Sequence, residues 1–246
     1  MSRLFDGNDD YVSTGVPTVL NTFWVGGATL AFWAYPTGLG GGGFGMAVSR
    51  RNSNGWQTYV CNDAAGGVCS GIANTWMFIQ ITSSQLGAWA MGADTLEFNK
   101  WQHIVIYYNS DNLGTDPLMW KNGVPQTVTE TLTPSGNAAY DDAADFVIGN
   151  RDSANAFNRA FQGKLANVHA YKRQLSLGEI MQIMKFPGSV SKNLVGFWPL
   201  HGSSSPEPDV SGNKSAGTVV GALKGADDPP INGIFQVPKP ELMGAF

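Results

Sequence analysis

The sequence predicts an all-β protein, an antiparallel two-sheet sandwich with one short helix, on three observations. About ten short runs alternate apolar and polar residues with period two, the side-chain period of a strand. The 246 residues include 31 Gly and 13 Pro, so turns interrupt the elements often, as they do between paired strands. One segment stands out by carrying both helix start and helix stop signals.

In chain order the strand candidates are 28–35, ending at Pro36; 44–49, after the Gly-rich loop 38–43; 56–61; 76–82; 86–91; 101–108; 117–121; 124–132; 146–149; and 165–171. Gly, Asn, Asp, Ser and Pro separate them, residues that supply turn dihedrals or compete for backbone hydrogen bonds. The helix opens at Ser176-Leu177-Gly178-Glu179, a capping box in which hydroxyl and carboxylate each satisfy the other's free backbone N–H. Leu175, Ile180, Ile183 and Met184 supply apolar positions at helical spacing, and Pro187-Gly188 stops the run. Residues 194–200 form a further strand, followed by a loop over 202–208 and a turn over 209–213. Beyond Ala226, Asp227-Asp228-Pro229-Pro230 and Val237-Pro238-Lys239-Pro240 cannot pair inside a sheet, because proline lacks a donor N–H. An extended arm is expected over 226–246, with Ile234, Phe235, Val237, Pro238, Leu242 and Phe246 as contacts to a partner subunit.

Composition narrows the function. Fifteen Lys and Arg against 19 Asp and Glu give a net charge of −4, with only 14% charged residues, which excludes a polybasic nucleic-acid or membrane-surface binder. Hydrophobic residues at 43% and aromatics at 11% exclude a disordered chain. No apolar run approaches the roughly 20 residues that span a bilayer. The opening Met1-Ser2-Arg3-Leu4-Phe5-Asp6-Gly7 has no signal-peptide core, so synthesis in the cytoplasm is expected. Cys61 and Cys69 flank a turn-rich stretch that could set them face to face; a disulfide and two free thiols are both open readings. No CxxC pair or neighbouring histidine accompanies them, which argues against zinc.

Leu4-Phe5-Asp6-Gly7-Asn8-Asp9-Asp10-Tyr11-Val12 resembles the opening strand signature of the concanavalin A-like, laminin-G-like jelly rolls. Four further matches follow in family order: Trp101-Gln102-His103-Ile104-Val105; Met119-Trp120-Lys121-Asn122-Gly123-Val124, with Trp120 where Tyr is usual; Phe146-Val147-Ile148-Gly149; and the closing segment from Phe161 to Val168 with Tyr171 and the capped helix. The resemblance covers about 1–186 and implies a two-sheet jelly roll. In many members a strand like Leu194-Val195-Gly196-Phe197-Trp198-Pro199-Leu200, then Asp209-Val210-Ser211-Gly212-Asn213 and Gly217-Thr218, precedes the opening strand; here they follow the helix. That order is similar to a circular permutation, tolerated where chain ends lie close together. It implies one jelly-roll domain over 1–225, completed by 194–220. The permuted order and Pro-rich end also resemble virion proteins of tailed bacteriophages.

Glycoside hydrolysis needs two carboxylates about 5 to 10 Å apart across the scissile bond. Glu97, Glu130, Glu179, Glu207 and Glu241 are all far apart in sequence, so the strand motif of the glucanase relatives is missing and a hydrolase is a remote reading. His103, His169 and His201 have no nucleophile-elbow context, and no Lys-Ser/Thr follows the Gly-rich loop to make it a phosphate site. The resemblance implies a structural calcium near the opening strand; Asp6, Asp9 and Asp10 supply hard oxygen ligands, but Ala166 stands where the closing strand usually has Asp. Otherwise Asp6 and Asp9 cap a turn, and no cofactor is required. Trp56, Trp76 and Trp89 match no family motif and are the candidate sugar platform, whereas Trp33, Trp101, Trp120 and Trp198 sit in strand motifs and are assigned to the core.

The leading expectation is a non-enzymatic phage virion protein, decorating the capsid or head surface through contacts with the major capsid protein or with itself, as a homo-oligomer such as a trimer. The alternative is a carbohydrate-binding host-adhesion module of a tail or fibre, with a cell-surface glycan as partner.

Overall fold

The computed structural model describes residues 2–62, 67–140, 142–151, 158–202 and 204–231. Its elements are β1 (Ser2–Asp6), β2 (Tyr11–Ser13), β3 (Ala28–Pro36), β4 (Met46–Arg51), β5 (Gly55–Cys61), β6 (Thr75–Gln80), β7 (Gly87–Met91), β8 (Gln102–Tyr108), β9 (Leu118–Lys121), β10 (Val124–Pro125), β11 (Val128–Leu132), β12 (Val147–Ile148), β13 (Gln162–Tyr171), α1 (Leu177–Lys185), β14 (Leu194–Trp198), β15 (Thr218–Val220) and β16 (Leu223–Gly225). One sheet runs β10-β9-β8-β3-β13-β1-β16, with β14 also on β13; the other runs β11-β7-β6-β5-β4-β12-β2-β15. Among the described residues no helix is long and apolar enough to cross a membrane.

The two sheets close over an aromatic core. Trp24, Trp56, Trp76, Trp89 and Trp198 are each at most 2% exposed. Trp24 meets Trp56 and Phe78 edge-on at 5.3 and 5.1 Å between ring centres, and Phe146 stacks on Trp198 at 4.8 Å, separations in the range aromatic pairs favour. The helix forms with its capping box: the Glu179 N–H donates to Ser176 Oγ and the Ser176 N–H to Glu179 Oε2. Its buried Ile180 and Ile183 cover Ala31, Val105 and Tyr171 on the outer face of the first sheet.

Two sequence expectations change. The run 124–132 divides, β10 staying with β9 while β11 crosses to β7 in the other sheet. Pro125 cannot donate to a second neighbour, so β10 ends the first sheet as its edge. Beyond 194–200, the chain also forms β15 on β2 and β16 on β1. The ten residues of β13 pair with β1 through their first half and with β14 through their second, end to end. The arm expected over 226–246 falls outside the described residues beyond Ile231, as do its contacts Ile234, Phe235, Val237, Pro238, Leu242 and Phe246.

Cys61 and Cys69 are joined as a disulfide, with Cα atoms 6.4 Å apart and both side chains fully buried. In the chain-entropy account a loop this short is worth about 2.5 kcal/mol to the folded state. Urea unfolding with and without a thiol reductant is expected to differ by that amount; a difference below about 0.5 kcal/mol would show that the crosslink does not constrain the unfolded chain.

Candidate functional site

Strand alternation decides where each candidate side chain points. In β5 and its partner β6, Trp56 is opposite Gln80, Thr58 opposite Phe78 and Val60 opposite Trp76, all facing the core between the sheets. Gln57, Tyr59 and Cys61 face the other way, opposite Ile79, Met77 and Thr75. Trp56, Trp76 and Trp89 are therefore core residues, and the sugar platform expected from them is corrected. Two of the indole groups are engaged there as well, Trp76 Nε1 donating to Gln102 Oε1 at 3.2 Å and Trp89 Nε1 to Asp116 Oδ1 at 2.7 Å.

The acidic cluster forms. One carboxylate oxygen from each of Asp6, Asp9 and Asp10 lies within 4.8 Å of the others. Asp10 Oδ2 accepts the Asp6 N–H, and Asp6 accepts the Asn8 N–H and side-chain amide, all at 2.8–2.9 Å. Those Asn8 bonds hold the Asp6 carboxyl below its ordinary range, while burial pushes that of Asp10 up. Ala166 is fully buried and offers no ligand. These bonds close the β1–β2 turn, with Asp10 closing it alongside Asp6.

The described glutamates serve separate structural ends. Hydrogen bonds from Lys100 and Lys121 hold the Glu97 carboxyl down at about 2. Glu179 is shared between the capping box and Arg173, Glu130 accepts from Thr133, and Glu207 is buried against Arg3.

A cleft of about 280 Å³ opens on the outer face of the β4–β5–β6 sheet, where Phe44, Gln57 and Tyr59 meet Arg51, Arg151 and Arg159. Its floor is apolar, formed by Met46 and Ile79. Phe44 and Tyr59 meet edge to face at 6.0 Å. Arg51 is held by Gln57, whose Oε1 accepts its Nη1–H at 2.7 Å. Arg159 lies over the Phe44 ring at 5.2 Å and donates to the Gly42 carbonyl at 3.1 Å. The Gly-rich loop thus has a local task, since Gly42 sits at φ +61° and a Cβ there would collide with the Arg159 guanidinium. Fully buried Asn150 completes the arrangement: its Oδ1 accepts the backbone N–H of both Arg151 and Arg159, at 2.9 and 3.0 Å. Burial lowers the Arg151 pKa, and the charges of Arg159 and Arg51 lower it further.

Sequence patterning did not single out these six residues. A polar Gln57 and Arg51 on one face of otherwise apolar strands were the available signal; the meeting of Arg151 and Arg159 depends on Asn150 and has none. A second cleft, of about 270 Å³, lies beside α1 and is lined by Trp33, Trp101, Asn122, Met184, Lys185 and Pro230. The indole N–H groups of Trp33 and Trp101 have no acceptor among the described residues, but fewer polar groups converge there than in the first cleft.

The family model for the concanavalin A-like lectin/glucanases superfamily matches residues 6–181. No curated protein matches the chain. Among solved structures, a proposed carbohydrate binding protein from Bacteroides ovatus superimposes with a TM-score of 0.67 at 19% identity, over 94% of this chain and 61% of its own. This chain thus spans about six-tenths of that protein's length. The CBM40 of Ruminococcus gnavus IT-sialidase, bound to α2,3-sialyllactose, superimposes with a TM-score of 0.52 at 10% identity, covering 74% of this chain and 93% of that one. The heptameric SAP-like pentraxin of Limulus polyphemus gives 0.50 at 14% identity, with 74% and 80% covered. At these identities the likeness is one of fold.

Proposed function

The chain belongs to the concanavalin A-like lectin/glucanases superfamily, and on that premise we propose that it is a non-catalytic carbohydrate-binding module. The observation that carries this is the cleft outside β4–β6, where aromatic rings and hydrogen-bond donors converge. Sugars offer an apolar ring face bordered by hydroxyls, which suits an apolar floor with a few placed polar groups. The neighbours of like fold that are described as binding carbohydrate support the same reading. They favour it over capsid decoration. The scattered duties of the described glutamates support a binding rather than a hydrolytic role.

A glycan array followed by titration calorimetry tests this. At least one saccharide is expected to bind, and Phe44→Ala to weaken it about tenfold, roughly 1.4 kcal/mol, because the half-buried ring supports both the cleft wall and Arg159. Absence of binding to every saccharide at millimolar concentration would overturn the proposal.

A further inference from the structure

We infer that the cleft outside β4–β6 selects an anionic saccharide, its acidic group held between the guanidinium groups of Arg51, Arg151 and Arg159. The inference deepens the carbohydrate-binding reading and rests on it. Its first ground is convergence: three of the chain's 15 Lys and Arg line one cleft of a protein whose net charge is −4. The second is that the structure invests in holding them. Asn150 clamps the backbone of Arg151 and Arg159 with one buried oxygen, Gln57 orients Arg51, and the Gly42 carbonyl and Phe44 ring position Arg159. Like charges brought together repel, and the lowered Arg151 pKa records that repulsion together with burial. Guanidinium groups suit an acidic ligand because their planar forks match a carboxylate or sulfate with two parallel hydrogen bonds. Tyr59, Phe44 and Ile79 then border the space left for the sugar ring.

The test compares three probes on the whole chain by titration calorimetry: a galacturonate oligosaccharide, a sulfated oligosaccharide and a neutral oligosaccharide of the same length. At least one acidic probe is expected to bind about ten times more tightly than the neutral one, and more weakly as salt rises from about 50 to about 500 mM. Carboxylate against sulfate preference identifies which acidic group the forks take. Arg51→Gln and Arg151→Gln are each expected to lose about tenfold for that probe and markedly less for the neutral one, so that the preference for the acidic probe narrows. Arg151→Lys, which keeps the charge but loses the fork, should fall between. Thermal unfolding of each variant, read by circular dichroism, separates loss of contact from loss of fold. Equal affinity for acidic and neutral probes, or an acidic preference indifferent to both Gln variants in their folded state, would overturn this inference and leave the carbohydrate-binding reading standing. Failure of all three probes while the array finds another saccharide also overturns it, whereas an array with no binder overturns both.

Discussion

Replacing Glu207 with alanine is expected to destabilise the fold by about 3–5 kcal/mol, since it leaves a buried arginine without its counter-charge. Arg3 and Glu207 are 3% and 0% exposed. Arg3 Nε and Nη2 both donate to Glu207 Oε2, at 3.0 and 2.9 Å. The remaining groups are satisfied too. Arg3 reaches the carbonyls of Ala222 and Ser204, at 3.1 and 2.6 Å, and Glu207 Oε1 accepts the His201 N–H at 3.1 Å. One side chain of the opening strand thereby ties together Ser204, Glu207 and Ala222, on either side of β15 and just before β16. Arg3→Met is expected to cost a similar amount, and the double variant Arg3→Met with Glu207→Leu less than the sum of the two, because it buries no lone charge. Urea unfolding of the four proteins measures this. Single-variant losses below about 1 kcal/mol would mean that the pair behaves like one exposed to solvent.

Acidification from pH 8 to pH 5 is expected to cost about 4 kcal/mol, through His103 and His169. Both rings are buried on the outer face of the first sheet, His103 opposite Trp33 and His169 opposite Ala31. Burial pushes each pKa down to about 3 from an ordinary value of 6.5. For His169 the hydrogen bonds also require the neutral ring: Nε2 accepts the Gly188 N–H at 3.0 Å, so Nδ1 carries the proton facing the Asn167 carbonyl at 2.9 Å. A second proton on Nε2 would oppose the Gly188 donor. His103 has no partner at either nitrogen among the described residues, and its ring is tilted against that of Trp33 with centres 5.2 Å apart.

Because the folded pKa values are depressed, the unfolded chain takes up protons first. Stability is fully present above about pH 6.5 and falls by about 1.4 kcal/mol per pH unit for each histidine below it. Burial lowers the pKa of His201 as well, which adds in the same direction. The interval from about pH 6.5 to 5 lies above the ordinary carboxylate range, which isolates the histidines. Stability measured by urea unfolding across it, with His103→Leu expected to remove nearly half the slope, checks the assignment. A flat profile would mean that both rings protonate freely in the folded protein.

The candidate site was less legible than the fold, and Trp56 shows why. Period-two alternation in 56–61 located β5, and in 76–82 located β6, but it could not say which face was interior. Tyr59, Cys61, Met77 and Ile79 make the outer face apolar as well, under the loop that holds Cys69. Alternation identifies the buried face only when the other meets water. With both faces covered, tryptophans offered as a candidate platform for want of a motif proved to be core, and the polar Gln57 beside them proved to line the cleft.

Local chemistry is what the sequence alone determined: the positions of most strands, the all-β class, the Ser176–Glu179 capping box, and the absence of closely spaced glutamates. Each depends on residues within a few positions of one another, where dihedral preference and side-chain period act directly. Only the tertiary structure decided that Arg151 and Arg159 meet Arg51 through Asn150, that Glu207 pairs with Arg3, and that β15 and β16 each pair with a strand from the first thirteen residues. Arg3 and Glu207 are 204 positions apart. No local propensity encodes such a contact, because it forms only once burial of the shared core has offset the entropy of closing so long a loop.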